Sequence, residues 1–188
     1  MAASAAYRRA IAARRAFRLP GYATLAECGF DGDYVSPIQI TSGNLDGPMI
    51  ISKDWLDAPS ARDHRAELRA TGYLPQMPFN RVLDHALGLA GLTRSQIYIS
   101  PVFCLLPPRR SFALPFRDAQ ASFEAVVRHE IIGRLPIAAG TDAARVLRAA
   151  DITHIATPHP SARGLSFAHR AETLATALRD AQARQDAG

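Results

Sequence analysis

Residues 135–161 read LPIAAGTDAARVLRAADITHIATPHPS and decide the fold. The apolar run at 135–139 predicts a strand, and the turn residues Gly140-Thr141-Asp142 begin a helix that extends through Arg148. A second apolar run, at 152–156, predicts another strand. Strand, helix and strand in this order indicate a parallel βαβ unit, because the right-handed crossover places the two strands in one sheet with the helix on its face.

The rest of the chain repeats this alternation. Apolar runs at 48–52 and 97–103 predict two further strands. Helical spacing predicts helices over 79–89, where Gly91 is the stop, and over 117–133, while Ser166 begins a last helix that reaches about residue 184. Residues 57–77 are predicted to be a polar surface excursion with a helical piece around 62–69. We therefore expect an α/β fold: a single three-layer α/β/α domain with a central, mostly parallel four-stranded sheet.

Composition bounds the class of protein. The 188 residues are 48% apolar and 21% charged, which excludes a disordered chain and suits one globular domain. We assign residues 35–188 to this domain and residues 1–34, rich in arginine and alanine, to an N-terminal segment that is expected to be helical. No run of about 18 apolar residues is present to span a membrane. Two cysteines, Cys28 and Cys104, are too few for a disulfide framework or a four-cysteine metal site.

The net charge of +5 makes a polyanionic partner such as nucleic acid plausible. Of the 22 basic residues, Lys53 is the one lysine and the other 21 are arginine. Arginine bias in a GC-rich genome explains this ratio. The position of Lys53 beside an acidic residue at the end of a strand nevertheless makes it a candidate contact to a substrate phosphate or base. We expect the protein to be a cytoplasmic monomer that does not associate with a membrane.

Two predicted strands end in residues that are suited to chemistry. Asp54 follows the strand at 48–52, and His159 follows the strand at 152–156 between two prolines that hold it in an extended turn. Ligands of open α/β sheets lie outside the carboxyl ends of the strands, so Asp54 and His159 are a candidate catalytic pair. Structural alternatives stay open: a cap or turn role for Asp54, a solvated ring for His159, and an exposed ion pair between Lys53 and Asp54. The histidines without metal-ligand spacing are His64, His85, His129, His154 and His169.

Seven short motifs follow one another along the chain. They are Ser52-Lys53-Asp54-Trp55, Met77-Pro78-Phe79, Gly91-Leu92-Thr93-Arg94, Ile97-Tyr98-Ile99, Pro107-Pro108-Arg109-Arg110, the segment 137–144, and His159-Pro160-Ser161. In order and spacing this series resembles the uracil-DNA glycosylase superfamily, particularly its bacterial branch that usually carries an iron–sulfur cluster. The resemblance covers residues 48–178.

The resemblance implies an enzyme that flips a damaged nucleotide out of DNA and cleaves its N-glycosidic bond. It implies that Asp54 stabilises the sugar cation and orients or deprotonates the attacking water. It implies that neutral His159 donates a hydrogen bond to the leaving base. Phe79 lies where the family places a stacking phenylalanine, although a core position in its helix explains it equally well. Lys53 and Ser161 would also contact the substrate.

DNA contacts are implied for the loop after His159. Leu165 is the candidate wedge that fills the hole left by the flipped base, and Arg163 is a candidate phosphate contact. Arg109 and Arg110 are candidates for a phosphate-binding rim. The alternatives are that Leu165 packs at the start of a helix and that the arginines are simply solvated.

The sequence also departs from the family. The cluster cysteines are missing, with Phe123 at about the position of one ligand, so we expect no iron–sulfur cluster and no other cofactor or metal. Pro101 replaces the asparagine that reads the base edge, and Leu56 replaces a tyrosine that excludes thymine in some members. These changes weaken the expectation of uracil specificity. A catalytically inactive relative, or one that binds nucleic acid or a free nucleotide, is the alternative, and a nucleotide-handling hydrolase is a more remote one.

Overall fold

A four-stranded, all-parallel sheet runs through the middle of the protein in the computed structural model, which describes residues 2–186. The strands lie in the spatial order β2-β1-β3-β4. Their bounds are β1 Met49–Ser52, β2 Tyr98–Pro101, β3 Ile137–Ala139 and β4 Ile155–Thr157. The predicted α/β class and four-stranded parallel sheet are thus confirmed.

Seven α-helices surround this sheet within the described residues. Gly91, in the left-handed conformation with φ 71°, ends the fourth helix as predicted. The Ser166 hydroxyl accepts the backbone N–H of His169 at 3.1 Å and caps the seventh. The helices are α1 Ala2–Ala16, α2 Ala58–Asp63, α3 Arg65–Thr71, α4 Pro78–Ala90, α5 Phe116–Ala125, α6 Thr141–Ala149 and α7 Phe167–Asp186. None of these helices is both long enough and apolar enough to cross a lipid bilayer.

Both faces of the sheet are buried. Along β1, Ile51 points into a cluster with α1, α5 and α6, while Ile50 points into the opposite cluster with α4 and α7. This alternation follows from the period of two in a strand, and it explains why the strand residues are apolar on both faces. Ala10 and Ile11 of α1 are buried in the first cluster, so the N-terminal helix packs on the domain.

A third apolar cluster corrects the prediction for residues 57–77. This segment forms α2 and α3, and its Ala61 and Leu68 are fully buried rather than spread over the surface. They pack against Cys28 and Phe30 from the N-terminal segment. The apolar residues are spaced too widely along 57–77 to reveal this packing in the sequence.

The long helix predicted over 117–133 is wrong. α5 ends at Ala125, because Val126 leaves the helical conformation with φ −127° and ψ −65°. A 3-10 turn over Val127–Glu130 follows. This break places the side chain of Glu130 beneath the sheet, where it meets polar groups of β2.

Glu130 is the centre of a fully buried polar network. Its carboxyl group accepts hydrogen bonds from the hydroxyls of Tyr98 and Ser100, the latter at 2.7 Å, and from the side-chain amide of Gln39 at 2.8 Å. The guanidinium carbon of Arg134 lies 4.2 Å from the centre of the Tyr98 ring. Burial raises the pKa of Glu130 to about 7, although the three hydrogen bonds and Arg134 lower it.

This raised pKa predicts a pH-dependent stability. The folded-state pKa of about 7 exceeds the ordinary value of 4.5, so the folded protein holds a proton that the unfolded chain releases. Its contribution is complete below pH 4.5 and is lost as pH rises to 7, by at most about 3 kcal/mol. We expect the free energy of unfolding of Glu130→Gln to show no such fall between pH 4.5 and 7, because the glutamine side chain does not titrate. Urea unfolding of both proteins between pH 4.5 and 8 measures the difference, and parallel pH curves would contradict the assignment.

Candidate functional site

The site lies at the point in the sheet where the order in which the strands are added reverses. From β1 the chain moves outward to β2, then returns to the other side of β1 to form β3 and β4. Ligands in open α/β sheets bind at such a switch point, outside the carboxyl ends of the strands. Asp54 follows β1 at this edge and His159 follows β4.

Asp54 and His159 both line one cleft at this edge. The space between its walls, counted out to the open mouth, is about 590 Å³. Its walls are mainly apolar, with a few polar groups between them. The lining residues are Ser36, Ile38, Ser52, Asp54, Trp55, Leu56, Tyr73, Leu74, Met77, Phe79, Asn80, Pro101, His159 and Ser161.

The backbone after β1 is anchored by its neighbour. The N–H groups of Val102 and Phe103 donate to the carbonyl oxygens of Ser52 and Lys53 at 2.8 and 3.1 Å. These bonds extend the β1–β2 pairing past the end of the strands and hold the backbone that leads into Asp54. Pro101 lacks an N–H group, and its position on an edge strand tolerates the missing donor.

Asp54 is a half-buried carboxyl group with an unfavourable environment for its charge. Its side chain is 32% exposed. Burial raises its pKa, and the carboxylates of Asp142 and Asp57 raise it further. The ammonium group of Lys53, 3.9 Å from Asp54 Oδ2, acts in the opposite direction. A carboxyl group with a raised pKa in a cleft is suited to act as a general base.

Lys53 does not line the cleft that holds Asp54 and His159. Its Nζ donates to the carbonyl oxygen of Phe112 at 2.9 Å and lies 3.9 Å from Asp142 Oδ2. Its side chain lines a neighbouring cavity with Gly140, Thr141, Asp142 and His159. In this position Lys53 acts on Asp54 through its charge rather than by reaching into the cleft.

His159 has a defined tautomer. The backbone N–H of Ser161 donates to its Nδ1 at 3.0 Å, so Nδ1 is an acceptor and the proton of the neutral ring is on Nε2. Burial lowers the pKa of His159, and the charge of Lys53 lowers it further, whereas Asp142 raises it. The ring centre lies 5.6 Å from that of Phe79. His159 is therefore a neutral hydrogen-bond donor beside an aromatic wall.

Gly140 permits the close approach of His159. Its φ of 101° is in the left-handed region, and a Cβ atom there would lie 2.9 Å from the Cβ of His159. The Gly140 N–H also donates to the carbonyl of Thr157 at 2.9 Å, which joins the ends of β3 and β4. The end of β3 thus sets the position of the histidine turn.

The other predicted contacts lie around the cleft or beyond it. Phe79 and Ser161 line it. Arg109 and Arg110 are exposed on a second cavity, which shares Asp54, Trp55 and Leu56 with the cleft. Arg163 and Leu165 are exposed in the loop before α7, and Leu165 is 38% exposed.

Several cleft residues were not predicted to line the site, although Trp55 belongs to the quoted motif that contains Asp54. Trp55 and Tyr73 form aromatic walls, and the indole N–H of Trp55 donates to the carbonyl of Gly72 at 2.8 Å. Ile38 belongs to a 3-10 turn, Pro37–Ile40, that precedes the sheet, and Ser36 is the residue before this turn. These residues lie in irregular segments, so no periodicity singles them out.

The described residues contain no group of three or more His, Cys, Asp or Glu side chains that could hold a metal ion. Cys28 and Cys104 are buried and free, and burial raises the pKa of the Cys104 thiol to about 11. Phe123 is fully buried in the core.

No protein-family model matches the chain, and no curated protein sequence matches it.

We expect Gly140→Ala to displace the ring of His159. The new Cβ would clash with His159 and would occupy a strained conformation, so the free energy of unfolding should fall by about 1–3 kcal/mol. NMR titration should show the pKa of His159 rising towards its ordinary value as the ring becomes more solvated. Gly21→Ala is the matched control, because Gly21 has φ 86° and nothing within 4 Å of its added Cβ. Unchanged His159 titration in Gly140→Ala would contradict this role of Gly140.

Proposed function

We propose that this chain is a monofunctional DNA glycosylase, acting as a monomer in the cytoplasm on a flipped-out uracil or another deaminated or modified base. The proposal combines the resemblance of the motifs to the uracil-DNA glycosylase superfamily with one observation. Asp54 and a neutral, Nε2-protonated His159 line the same apolar cleft at the carboxyl edge of the sheet.

The cleft walls suit a planar, uncharged base. Trp55, Tyr73 and Phe79 supply aromatic faces, and Leu56, Leu74 and Met77 supply apolar contacts. A base that leaves the duplex loses its stacking partners, and aromatic side chains replace part of that energy. An apolar cleft also strengthens the electrostatic interactions that act on the reacting bond.

The two polar side chains match the two charges that develop as the glycosidic bond breaks. The bond electrons leave with the base, so the sugar becomes cationic and the base anionic. The Asp54 carboxylate stabilises the cation and takes a proton from the attacking water, whose oxygen bonds to the anomeric carbon. The Nε2–H of His159 donates to the base oxygen that gains negative charge, and the departing base finally takes up a proton.

Basic residues near the cleft supply a route for the DNA backbone. Arg109 and Arg110 lie on the second cavity, which meets the cleft at Asp54. Their positive charge suits the phosphates that flank a flipped nucleotide. The exposed Arg163 and Leu165 are free to enter a DNA groove, in keeping with the roles implied by the family resemblance.

Base release from oligonucleotides tests the proposal. Single- and double-stranded oligonucleotides that contain uracil, hypoxanthine, xanthine or hydroxymethyluracil are incubated with excess protein, and abasic sites are measured. We expect release from at least one of them. Asp54→Asn should slow release by about 10²–10⁴-fold, and His159→Ala by about 10²–10³-fold.

Matched controls separate the site from general effects. Asp63→Asn and His129→Ala alter exposed residues of the same types outside the cleft and should leave release unchanged. Release that survives both Asp54→Asn and His159→Ala would refute the site. No release from any substrate would refute the glycosylase. In that case, DNA binding that weakens steeply with salt would favour a role in binding alone.

The pH dependence of release tests the roles of the two groups. Asp54 has to be ionised, and its raised pKa predicts that the single-turnover rate climbs with pH above the ordinary range of an aspartate. Because the pKa of His159 is lowered, its neutral form prevails at neutral pH. Asp142→Asn removes a carboxylate that raises the pKa of Asp54. The acidic limb of the pH–rate profile should therefore move to lower pH. A limb that stays in place would contradict the assignment of Asp54 as the base.

A further inference from the structure

The hydroxyl group of Ser36 is buried in the cleft without a partner. Ser36 is 1% exposed and lines the cleft at the start of the 3-10 turn Pro37–Ile40. It stands in a capping-box arrangement with Gln39, in which the Ser36 backbone N–H donates to Gln39 Oε1 at 3.4 Å and the Ser36 hydroxyl faces the Gln39 backbone N–H. That N–H donates to the Ser36 carbonyl oxygen, at 3.0 Å, and makes no side-chain cap bond to the hydroxyl. Its Oγ makes no hydrogen bond of normal geometry with any described residue.

An unpartnered hydroxyl in such a place calls for an explanation. A polar group that is buried without a hydrogen bond loses its interaction with water and gains nothing in return. Most buried polar side chains in native proteins therefore have a partner. Of the buried, unpartnered side-chain atoms in residues 2–186, Ser36 Oγ alone belongs to a residue that lines the cleft.

The other polar groups on this side of the cleft are already engaged. The side-chain amide of Asn80 donates to the carbonyl of Leu74 at 2.9 Å and accepts from the guanidinium group of Arg94 at 3.0 Å. The Ser52 hydroxyl approaches the Asp54 carbonyl oxygen at 3.5 Å. Pro101 offers neither an N–H nor a polar side chain. Apart from Asp54, His159, the exposed Ser161 and the hydroxyl of the partly exposed Tyr73, Ser36 is the polar group left for a ligand.

We propose that Ser36 Oγ hydrogen-bonds the polar edge of the base in the cleft and is the residue that selects the base. This inference rests on the proposed glycosylase function. A hydroxyl group rotates, and it serves either as donor or as acceptor to a single ligand atom. It can therefore donate to an oxo group or accept from an amino group at that edge. We expect the substrates to be bases that share a polar atom at this edge, and not uracil alone.

The experiment compares two buried serines whose hydroxyl groups lack a hydrogen-bond partner. Ser42 is fully buried and its hydroxyl also lacks a partner, but it does not line the cleft. Ser36→Ala and Ser42→Ala both remove an unpartnered hydroxyl, so both proteins should keep their unfolding temperature or gain slightly. Only Ser36→Ala should lower kcat/KM for base release, by about tenfold, which is the size of one neutral hydrogen bond. Ser36→Thr, which keeps the hydroxyl, should recover most of the loss.

Binding of free bases keeps this inference distinct from the glycosylase proposal. Uracil and hypoxanthine are titrated calorimetrically into wild type, Ser36→Ala and Ser42→Ala. Weaker binding to Ser36→Ala alone supports the role of Ser36, even if no protein releases a base from DNA. Base release in which the two alanine variants behave alike overturns the role of Ser36 and leaves the glycosylase intact. Neither release nor binding in wild type would overturn both.

Discussion

Parallel pairing of β1 with β3 is the constraint on which the site depends. Parallel strands end at the same edge of a sheet, so residues that are distant in sequence meet wherever neighbouring strands stop. Asp54 and His159 reach one cleft in this way, and Gly140 at the end of β3 lies against the histidine. The register Ile50–Ile137 and Ile137–Ile155 carries this alignment across the three strands. A shift of that register would separate the two polar groups.

Buried polar groups occur in two places, in the core beneath the sheet and around the cleft. Glu130 accepts hydrogen bonds from Tyr98, Ser100 and Gln39. Gln39 belongs to the 3-10 turn Pro37–Ile40, of which Ile38 lines the cleft. Around the cleft, burial likewise raises the pKa of Asp54 and lowers that of His159, and the hydroxyl of Ser36 has no hydrogen bond of normal geometry. Such local costs are typical of sites that bind a ligand.

Periodicity predicted the elements whose apolar faces are regular and failed where packing came from scattered residues. The strands and the helices α4, α6 and α7 are at or near their predicted positions, because strict patterns of two or 3.6 residues mark a buried face. The long helix over 117–133 was wrong, since burial of Glu130 under the sheet favours a break after Ala125. The helical piece predicted around 62–69 corresponds to α2 and α3. The prediction that 57–77 is a surface excursion was wrong, because its few apolar residues pack against the N-terminal segment.

Sequence alone determined the α/β class, the parallel sheet and the two strand ends that carry Asp54 and His159, because local patterns and strand topology are encoded over short distances. Only the tertiary structure decided what faces the cleft. It turned Lys53 towards Phe112 and Asp142, and it brought Ser36 and Trp55 into the cleft walls. The tertiary structure also determines the pKa values of Asp54 and His159. Burial and the nearby charges of other segments determine a pKa, and neither can be read from a residue and its chain neighbours.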